Sequence, residues 1–70
     1  MKLSARNQFK GTITNIEKGA VNGIVSIDIG DGHEIVSTIS MDSINGLGLE
    51  VGKEAYAVIK ATSVIVGIDD

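Results

Sequence analysis

The stretch that decides the fold is Val21–Ile39, VNGIVSIDIGDGHEIVSTI, which holds two strand-like runs around a glycine-rich centre. In the first run Val25, Ile27 and Ile29 alternate with polar residues, a period of two that is typical of a strand with one buried face. The centre, Gly30–Gly32, predicts a tight hairpin because glycine and aspartate tolerate the positive φ that such turns require. We therefore expect two antiparallel strands joined by a short turn.

Outward from this hairpin, similar runs predict three more strands. The five predicted strands are Phe9–Ile16, Val21–Ile29, Glu34–Ile39, Glu54–Lys60 and Val64–Ile68. Between the third and the fourth, Ser40 is a suitable helix N-cap, and Gly46 or Gly48 can end a helix. We expect one or two helical turns there, with Ile44 and Leu47 facing the core. This order predicts an all-β protein, a five-stranded OB-like barrel with one short helix, and a five-stranded sandwich is the alternative.

The size and composition predict self-association. The chain has 70 residues, which we read as a single domain, 1–70. A domain of this size buries only about 60% of the surface of its unfolded chain and is marginally stable alone. The sequence contains no cysteine and one histidine, so disulfides and an ordinary zinc site are excluded as sources of stability. Because 43% of the residues are hydrophobic, we expect a homo-oligomer that covers the exposed apolar surface.

The net charge of −3 argues against binding to nucleic acid or to anionic membranes, both of which favour a basic surface. The only aromatic residues are Phe9 and Tyr56, and we expect Phe9 to lie in the core, which leaves little for base stacking. No apolar segment follows Met1–Leu3 as in a secretory signal, and no apolar run is long enough to span a membrane. We expect a cytoplasmic protein without nucleic-acid or membrane partners.

The polar stretch Ser4–Gly11, SARNQFKG, is the first candidate site. Residues two apart on an extended strand point to the same side, so the Ser4 hydroxyl and the Arg6 guanidinium would lie side by side. A hydroxyl beside a planar cationic fork suits an anion that is rich in oxygen atoms. The alternative role for Arg6 is a surface salt bridge, which contributes little to the stability of a protein.

Further anion donors are predicted at two other places. Ser40 and Ser43 lie three residues apart at the predicted helix start, where backbone N–H groups are unpaired. Simple capping explains this pair equally well and is the more common role of serine there. Lys60 could supply a positive charge, and the backbone of Ala61 an N–H group, although a solvent-exposed lysine is the usual case.

Two other groupings suggest different chemistry. Asp31, His33 and Glu34 could bind a divalent metal, but turns are often polar without binding one. A catalytic site would need a base beside a nucleophile, and His33 with a serine has the right residue types. We expect His33 at the end of a hairpin, away from such a partner, and therefore expect no enzymatic activity.

Three segments together resemble the molbindin family, whose members consist of a single Mop domain. They are Ser4–Gly11; Ile39-Ser40 with Ser43 ahead of Leu47-Gly48-Leu49; and Ala57–Thr62. The resemblance covers nearly the whole chain and implies an OB-like barrel that forms hexamers, as trimers of dimers. It further implies that molybdate or tungstate binds between subunits.

The resemblance also implies which residues hold the oxyanion. Where some relatives have serine after the lysine, this chain has alanine, which removes one hydroxyl donor but keeps the backbone N–H. A second class of oxyanion site near the threefold axis is implied too, for which the Lys18–Asn22 turn is a candidate. The implied set is Ser4, Ala5, Arg6, Lys60 and Ala61 from one subunit, and Ser40 and Ser43 from a neighbour.

The predicted function is intracellular binding, with storage or buffering, of molybdate or tungstate at the subunit interfaces of a homo-oligomer. The oxyanion would be the only ligand, and no organic cofactor is expected. The alternative is an OB-type oligomerisation or regulatory interaction module without physiological oxyanion binding.

Overall fold

The computed structural model describes residues 1–70 and contains one antiparallel sheet with a short helix. The strand order across the sheet is β3-β2-β1-β4, so β3 and β4 are its two edges. No helix is long and apolar enough to cross a membrane. The elements are β1 (Asn7–Lys18), β2 (Asn22–Gly30), β3 (His33–Ser40), α1 (Met41–Gly46), β4 (Glu54–Ile59) and a 3₁₀ turn (Ala61–Ser63).

The hairpin predicted around Gly30–Gly32 is confirmed. Strands β2 and β3 pair along their length, and the last pair before the turn joins Gly30 to His33. The two residues between them, Asp31 and Gly32, have φ of 53° and 77°. Positive φ at both positions belongs to the hairpin turn whose twist matches that of the flanking strands. The local sequence therefore sets the position of the turn, and an irregularity between Asp28 and Gly30 shifts the register for the rest of the β2–β3 ladder.

A bulge in β1 keeps two isoleucines on the same side of the sheet. Ile13 pairs with Ile27 and Ile16 pairs with Val25, and the register shifts between Ile13 and Asn15. Strict alternation would send residues three apart to opposite faces, but one extra residue in a strand restores them to one face. The bulge explains why Ile16 also packs against the core.

The core lies on the concave side of the sheet, under α1. Its fully buried hydrophobic residues are Ile13, Val25, Ile27, Ile44 and Ala57. Two core predictions were wrong: Leu47 is 72% exposed and Phe9 is 41% exposed. Helix α1 has only six residues, and it buries Ile44 fully and Met41 partly against the core. Leu49 packs there after the chain turns at Gly48 (φ 64°). Phe9 pairs with Ala57 near one end of the β1–β4 ladder, where the chain covers its ring only in part.

The predicted fifth strand, Val64–Ile68, does not form, and the sheet has four strands rather than five. The segment pairs with no other strand, and Ile65 is 94% exposed. A strand needs a neighbour to supply its hydrogen bonds, and this segment, which follows the 3₁₀ turn after β4, pairs with neither edge of the sheet. The result is a curled, open sheet in place of the predicted closed barrel.

Close packing of α1 on β2 depends on the absence of a side chain at Gly23. A Cβ atom at Gly23 would lie 2.5 Å from Cδ1 of Ile44 and 2.9 Å from Sδ of Met41. We expect Gly23→Ala to push the helix outward and to lower the free energy of unfolding by about 1–3 kcal/mol, measured by urea denaturation. Gly46→Ala is the control, because a Cβ atom there meets nothing within 4 Å and alanine favours helix. Equal stability of Gly23→Ala and the parent would contradict this packing.

Candidate oxyanion site

The candidate site lies where the β1–β4 ladder ends. The last pair of the ladder joins Asn7 to Ile59, and beyond it the two chain segments form an open cleft of about 390 Å³. The residues that line it are Ser4, Ala5, Arg6, Lys60, Ala61 and Thr62.

Two carboxamides fix the walls of this cleft. Nδ2 of Asn7 donates to the carbonyl of Ile59 at 3.3 Å, which ties β1 to the end of β4. Nε2 of Gln8 donates to the carbonyl of Ala5 at 2.7 Å and holds the segment before β1 in place. Asn7 and Gln8 do not line the cleft, so their part in the polar stretch is to position the residues that do.

The cleft carries two positive charges and no compensating carboxylate. Neither Arg6 nor Lys60 forms an ion pair, so the salt bridge considered for Arg6 is not found. The ammonium group of Lys10 instead pairs with Glu54 at 3.4 Å. Because Arg6 and Lys60 line the same cleft, an anion bound there would reduce the repulsion between their charges.

Uncharged donors complete the cleft. The backbone N–H groups of Ala61 and Thr62 make no hydrogen bond within the chain. The first N–H of the 3₁₀ turn that finds an acceptor is that of Ser63, which donates to the carbonyl of Lys60 at 2.8 Å. The hydroxyls of Ser4 and Thr62 also make none. Thr62 was not among the predicted site residues, although it directly follows Ala61, where a hydroxyl appeared to be missing. Thr62 lines the cleft because it lies in the 3₁₀ turn Ala61–Ser63.

Ser40 and Ser43 lie elsewhere and cap helix α1. The Ser43 N–H donates to Oγ of Ser40 at 3.0 Å, as expected of an N-cap residue. The Ser40 hydroxyl in turn donates to Oγ of Ser43 at 2.9 Å. Neither serine lines the cleft of its own chain, so one chain brings together only part of the predicted set. The Ser43 hydroxyl donates no hydrogen bond within this chain.

The other groupings gain no support from the structure. No group of three or more histidine, aspartate or glutamate side chains is arranged to hold a metal ion. His33 lies exposed at the end of the β2–β3 hairpin, as expected from the sequence, and makes no side-chain hydrogen bond with a serine.

Comparisons with known proteins agree over almost the whole chain. The family model described as TOBE domain matches residues 3–66. A probable molybdenum-pterin-binding protein of Haemophilus influenzae is 61% identical over 69 residues, which cover 99% of this chain and 100% of the relative. Molybdenum-pterin-binding protein 2 of Clostridium pasteurianum is 44% identical over 66 residues, 94% of this chain and 97% of the relative.

Solved structures with the same fold are also similar in sequence. MopII from Clostridium pasteurianum has a TM-score of 0.90 and 42% identity, covering 96% of this chain and 100% of that protein. The cytoplasmic molybdate-binding protein ModG, in a form with molybdate bound, has a TM-score of 0.94 and 45% identity over 99% of this chain. That match spans 49% of the ModG chain. The chain therefore belongs to the TOBE domain family and, within it, to the molbindins that its motifs resemble.

Proposed function

We propose that this protein binds molybdate in the cleft between Ser4–Arg6 and Lys60–Thr62. The observation that carries the proposal is the pair of unpaired cations, Arg6 and Lys60, among hydrogen-bond donors that have no acceptor in the chain. Support also comes from ModG, described as a molybdate-binding protein, which is 45% identical to this chain. Tungstate, which has the same charge and shape, would occupy the same cleft.

The donor set suits a fully deprotonated dianion. Molybdate at neutral pH is a tetrahedral dianion that only accepts hydrogen bonds, and every polar group facing the cleft can donate one. A protonated phosphate would bring a hydrogen that requires an acceptor, and the two charged groups of the cleft, Arg6 and Lys60, can only donate. Sulfate is also a tetrahedral acceptor, so selection against it must depend on the size of the closed site. The cleft has no aromatic side chain on which an organic ring could stack, and we propose the oxyanion alone as the ligand.

A neighbouring subunit would close the open side of the cleft. We propose that its Ser40 and Ser43 face the anion, so that the complete site lies at an interface of a homo-oligomer. Ser43 is the better donor of the two, because the Ser40 hydroxyl already donates to Ser43 Oγ. Closure by a rigid neighbour would remove water from the anion and would strengthen each charged hydrogen bond.

Binding without catalysis is the role that this set of groups supports. The cleft holds donors and cations but no general base or nucleophile with a partner. We propose a cytoplasmic protein that stores or buffers the oxyanion and has neither nucleic-acid nor membrane partners. If the parent protein fails to bind molybdate in calorimetry and yet self-associates, the alternative role as an oligomerisation or interaction module is correct.

The variant Ser43→Ala separates binding from helix capping. Alanine keeps the backbone N–H that donates to Ser40, so the cap remains while the hydroxyl is lost. We expect a loss of molybdate affinity of about one to two orders of magnitude, as follows from one hydrogen bond to a charged group, with the oligomer and its melting temperature unchanged. Isothermal titration calorimetry with molybdate measures the affinity.

Ser63→Ala is the matched control, because Ser63 is exposed and does not line the cleft. We expect this variant to bind molybdate as the parent does. Parental affinity in Ser43→Ala would mean that the neighbour contributes other groups, and absence of any molybdate binding by the parent would refute the proposed function.

A further inference from the structure

We infer that the Asn7 side chain sets the width of the cleft, and that Asn7 is thereby a positioning residue that favours molybdate over the smaller sulfate dianion. Asn7 does not line the cleft, so it acts through the two chain segments that do. The inference rests on the proposed function, because it assigns to one residue the selection by size that the oxyanion site requires.

The Asn7 carboxamide joins the two walls of the cleft. One wall is Ser4–Arg6, which leads directly into Asn7, and the other is Lys60–Thr62, which directly follows Ile59. Nδ2 of Asn7 donates to the carbonyl of Ile59 at 3.3 Å, so the bond crosses from one strand to the other where their pairing ends. Asn7 is half-buried, and water therefore competes only in part for this bond.

No other polar contact holds the walls together. No hydrogen bond runs between Ser4–Arg6 and Lys60–Thr62, and neither Arg6 nor Lys60 forms an ion pair. Backbone pairing of β1 with β4 stops at Asn7 and Ile59. The separation of the walls within one chain therefore depends on the end of this ladder and on the Asn7 carboxamide.

Each wall is also braced internally. Nε2 of Gln8 donates to the carbonyl of Ala5 at 2.7 Å, in the middle of the first wall. In the second wall the Ser63 N–H donates to the carbonyl of Lys60 at 2.8 Å and closes the 3₁₀ turn. Because each braced segment moves as a unit, a restraint where the two segments meet controls the spacing of the donors that they carry.

Fixing the register of the β1–β4 ladder is the alternative role for Asn7, and the ladder has enough other contacts for that purpose. Five further residue pairs, of which the last joins Thr12 to Glu54, hold the two strands in one unbroken register. A slip by one residue would also turn the buried Ala57 to the opposite face of the sheet. The Asn7 carboxamide is therefore free to serve the cleft.

The width of the cleft decides between anions of equal charge and shape. Sulfate and molybdate are both tetrahedral dianions, but the bonds from sulfur to oxygen are shorter than those from molybdenum to oxygen. Donors spaced for molybdate make long and weak hydrogen bonds to sulfate unless the walls move together. The Asn7 bond opposes that movement. Tungstate, which is nearly the same size as molybdate, requires no movement.

Replacing Asn7 by leucine tests the inference, because leucine has nearly the same shape and no donor. Titration calorimetry at fixed ionic strength measures the affinities for molybdate and tungstate, and displacement of molybdate by excess sulfate gives the affinity for sulfate. We expect the ratio of molybdate to sulfate affinity to fall about fivefold, which is the size of one neutral hydrogen bond. The ratio of molybdate to tungstate affinity should not change. A merely structural role for Asn7 would weaken the binding of all three anions alike.

Asn7→Asp separates the loss of the donor from the shape and charge of the side chain. At neutral pH a carboxylate cannot donate to the Ile59 carbonyl, and its negative charge weakens the binding of both dianions alike. The ratio of molybdate to sulfate affinity should therefore fall as it does in Asn7→Leu. The matched controls are Asn15→Leu and Asn15→Asp, because Asn15 lies exposed in β1, beyond the ladder with β4. Both controls should keep the parental ratio.

An unchanged ratio of molybdate to sulfate affinity in the two Asn7 variants would overturn the inference, and so would an equal fall in the Asn15 controls. Sulfate that displaces no molybdate from either Asn7 variant would do the same. In each of these cases the parent still binds molybdate. Failure of the proposed function is a different result, in which the parent binds no molybdate at all.

Discussion

Replacing Arg6 by alanine is expected to weaken molybdate binding by one to two orders of magnitude. The guanidinium is one of two unpaired cations lining the cleft, and it can donate two parallel hydrogen bonds to an oxyanion. A hydrogen bond to a charged group contributes about 1.5–3 kcal/mol, and each 1.4 kcal/mol corresponds to about tenfold in affinity. Calorimetric titration with molybdate at fixed ionic strength measures the change.

Lys10→Ala is the control for Arg6→Ala. Lys10 lies four residues further along the chain, in β1, and carries the same charge, but its ammonium pairs with Glu54 and does not line the cleft. The control removes one positive charge from the protein, as Arg6→Ala does, and should bind molybdate nearly as the parent does. If the two variants lose equal affinity, the effect is one of overall charge; if Arg6→Ala binds as tightly as the parent, the site lies elsewhere.

Replacing Ile44 by alanine is expected to lower the free energy of unfolding by about 2–5 kcal/mol. Ile44 is 2% exposed and is the only buried residue of α1, so the variant opens a cavity beneath the helix. A domain of this length has a total stability of about 4–10 kcal/mol. The loss is therefore a large share of the total, and urea denaturation followed by circular dichroism at constant protein concentration should detect it.

Val21→Ala is the control for Ile44→Ala. Val21 is 74% exposed in the connection between β1 and β2 and does not line the groove between β3 and β4 on the concave side of the sheet. Surface substitutions of this kind change stability by about 0.5 kcal/mol or less. A similar small change for Ile44→Ala would contradict the assignment of α1 to the core.

The parts of the fold that local sequence determines could be predicted. The hairpin at Gly30–Gly32 requires residues that tolerate positive φ, and the helix start at Ser40 requires a side chain that accepts a backbone N–H. Both requirements are met within a few residues of chain, so the sequence pattern is sufficient. Their predicted positions agree with the structure.

Two of the wrong predictions depend on what covers a residue from a distance. Alternation gave Phe9 a buried face and made Val64–Ile68 a strand, but the chain leaves Phe9 and most of that segment exposed. The prediction that Leu47 faces the core was wrong because the helix ends one residue before it. The bulge that puts Ile16 on the core side depends on pairing with β2, which a period of two cannot reveal.

The candidate site was predictable in part. Arg6 and Lys60 are far apart in sequence and come together because β1 pairs with β4. No local sequence pattern encodes the register of that pairing. The two residues were linked by the family resemblance and not by the alternation of polar and apolar residues. Thr62 was missed because its position follows from the 3₁₀ turn after β4. The association of Ser40 and Ser43 with the cleft stays a prediction, since it requires a second chain.

The central claim, that an oxyanion is held between copies of this chain, is tested most directly by native mass spectrometry. The protein is purified gently, loaded with molybdate, and measured with elemental analysis for molybdenum. We expect oligomers that carry molybdenum at a fixed ratio to the number of chains, and monomers that carry none. Oligomers without molybdenum, or molybdate bound at the same ratio to isolated monomers, would contradict the account.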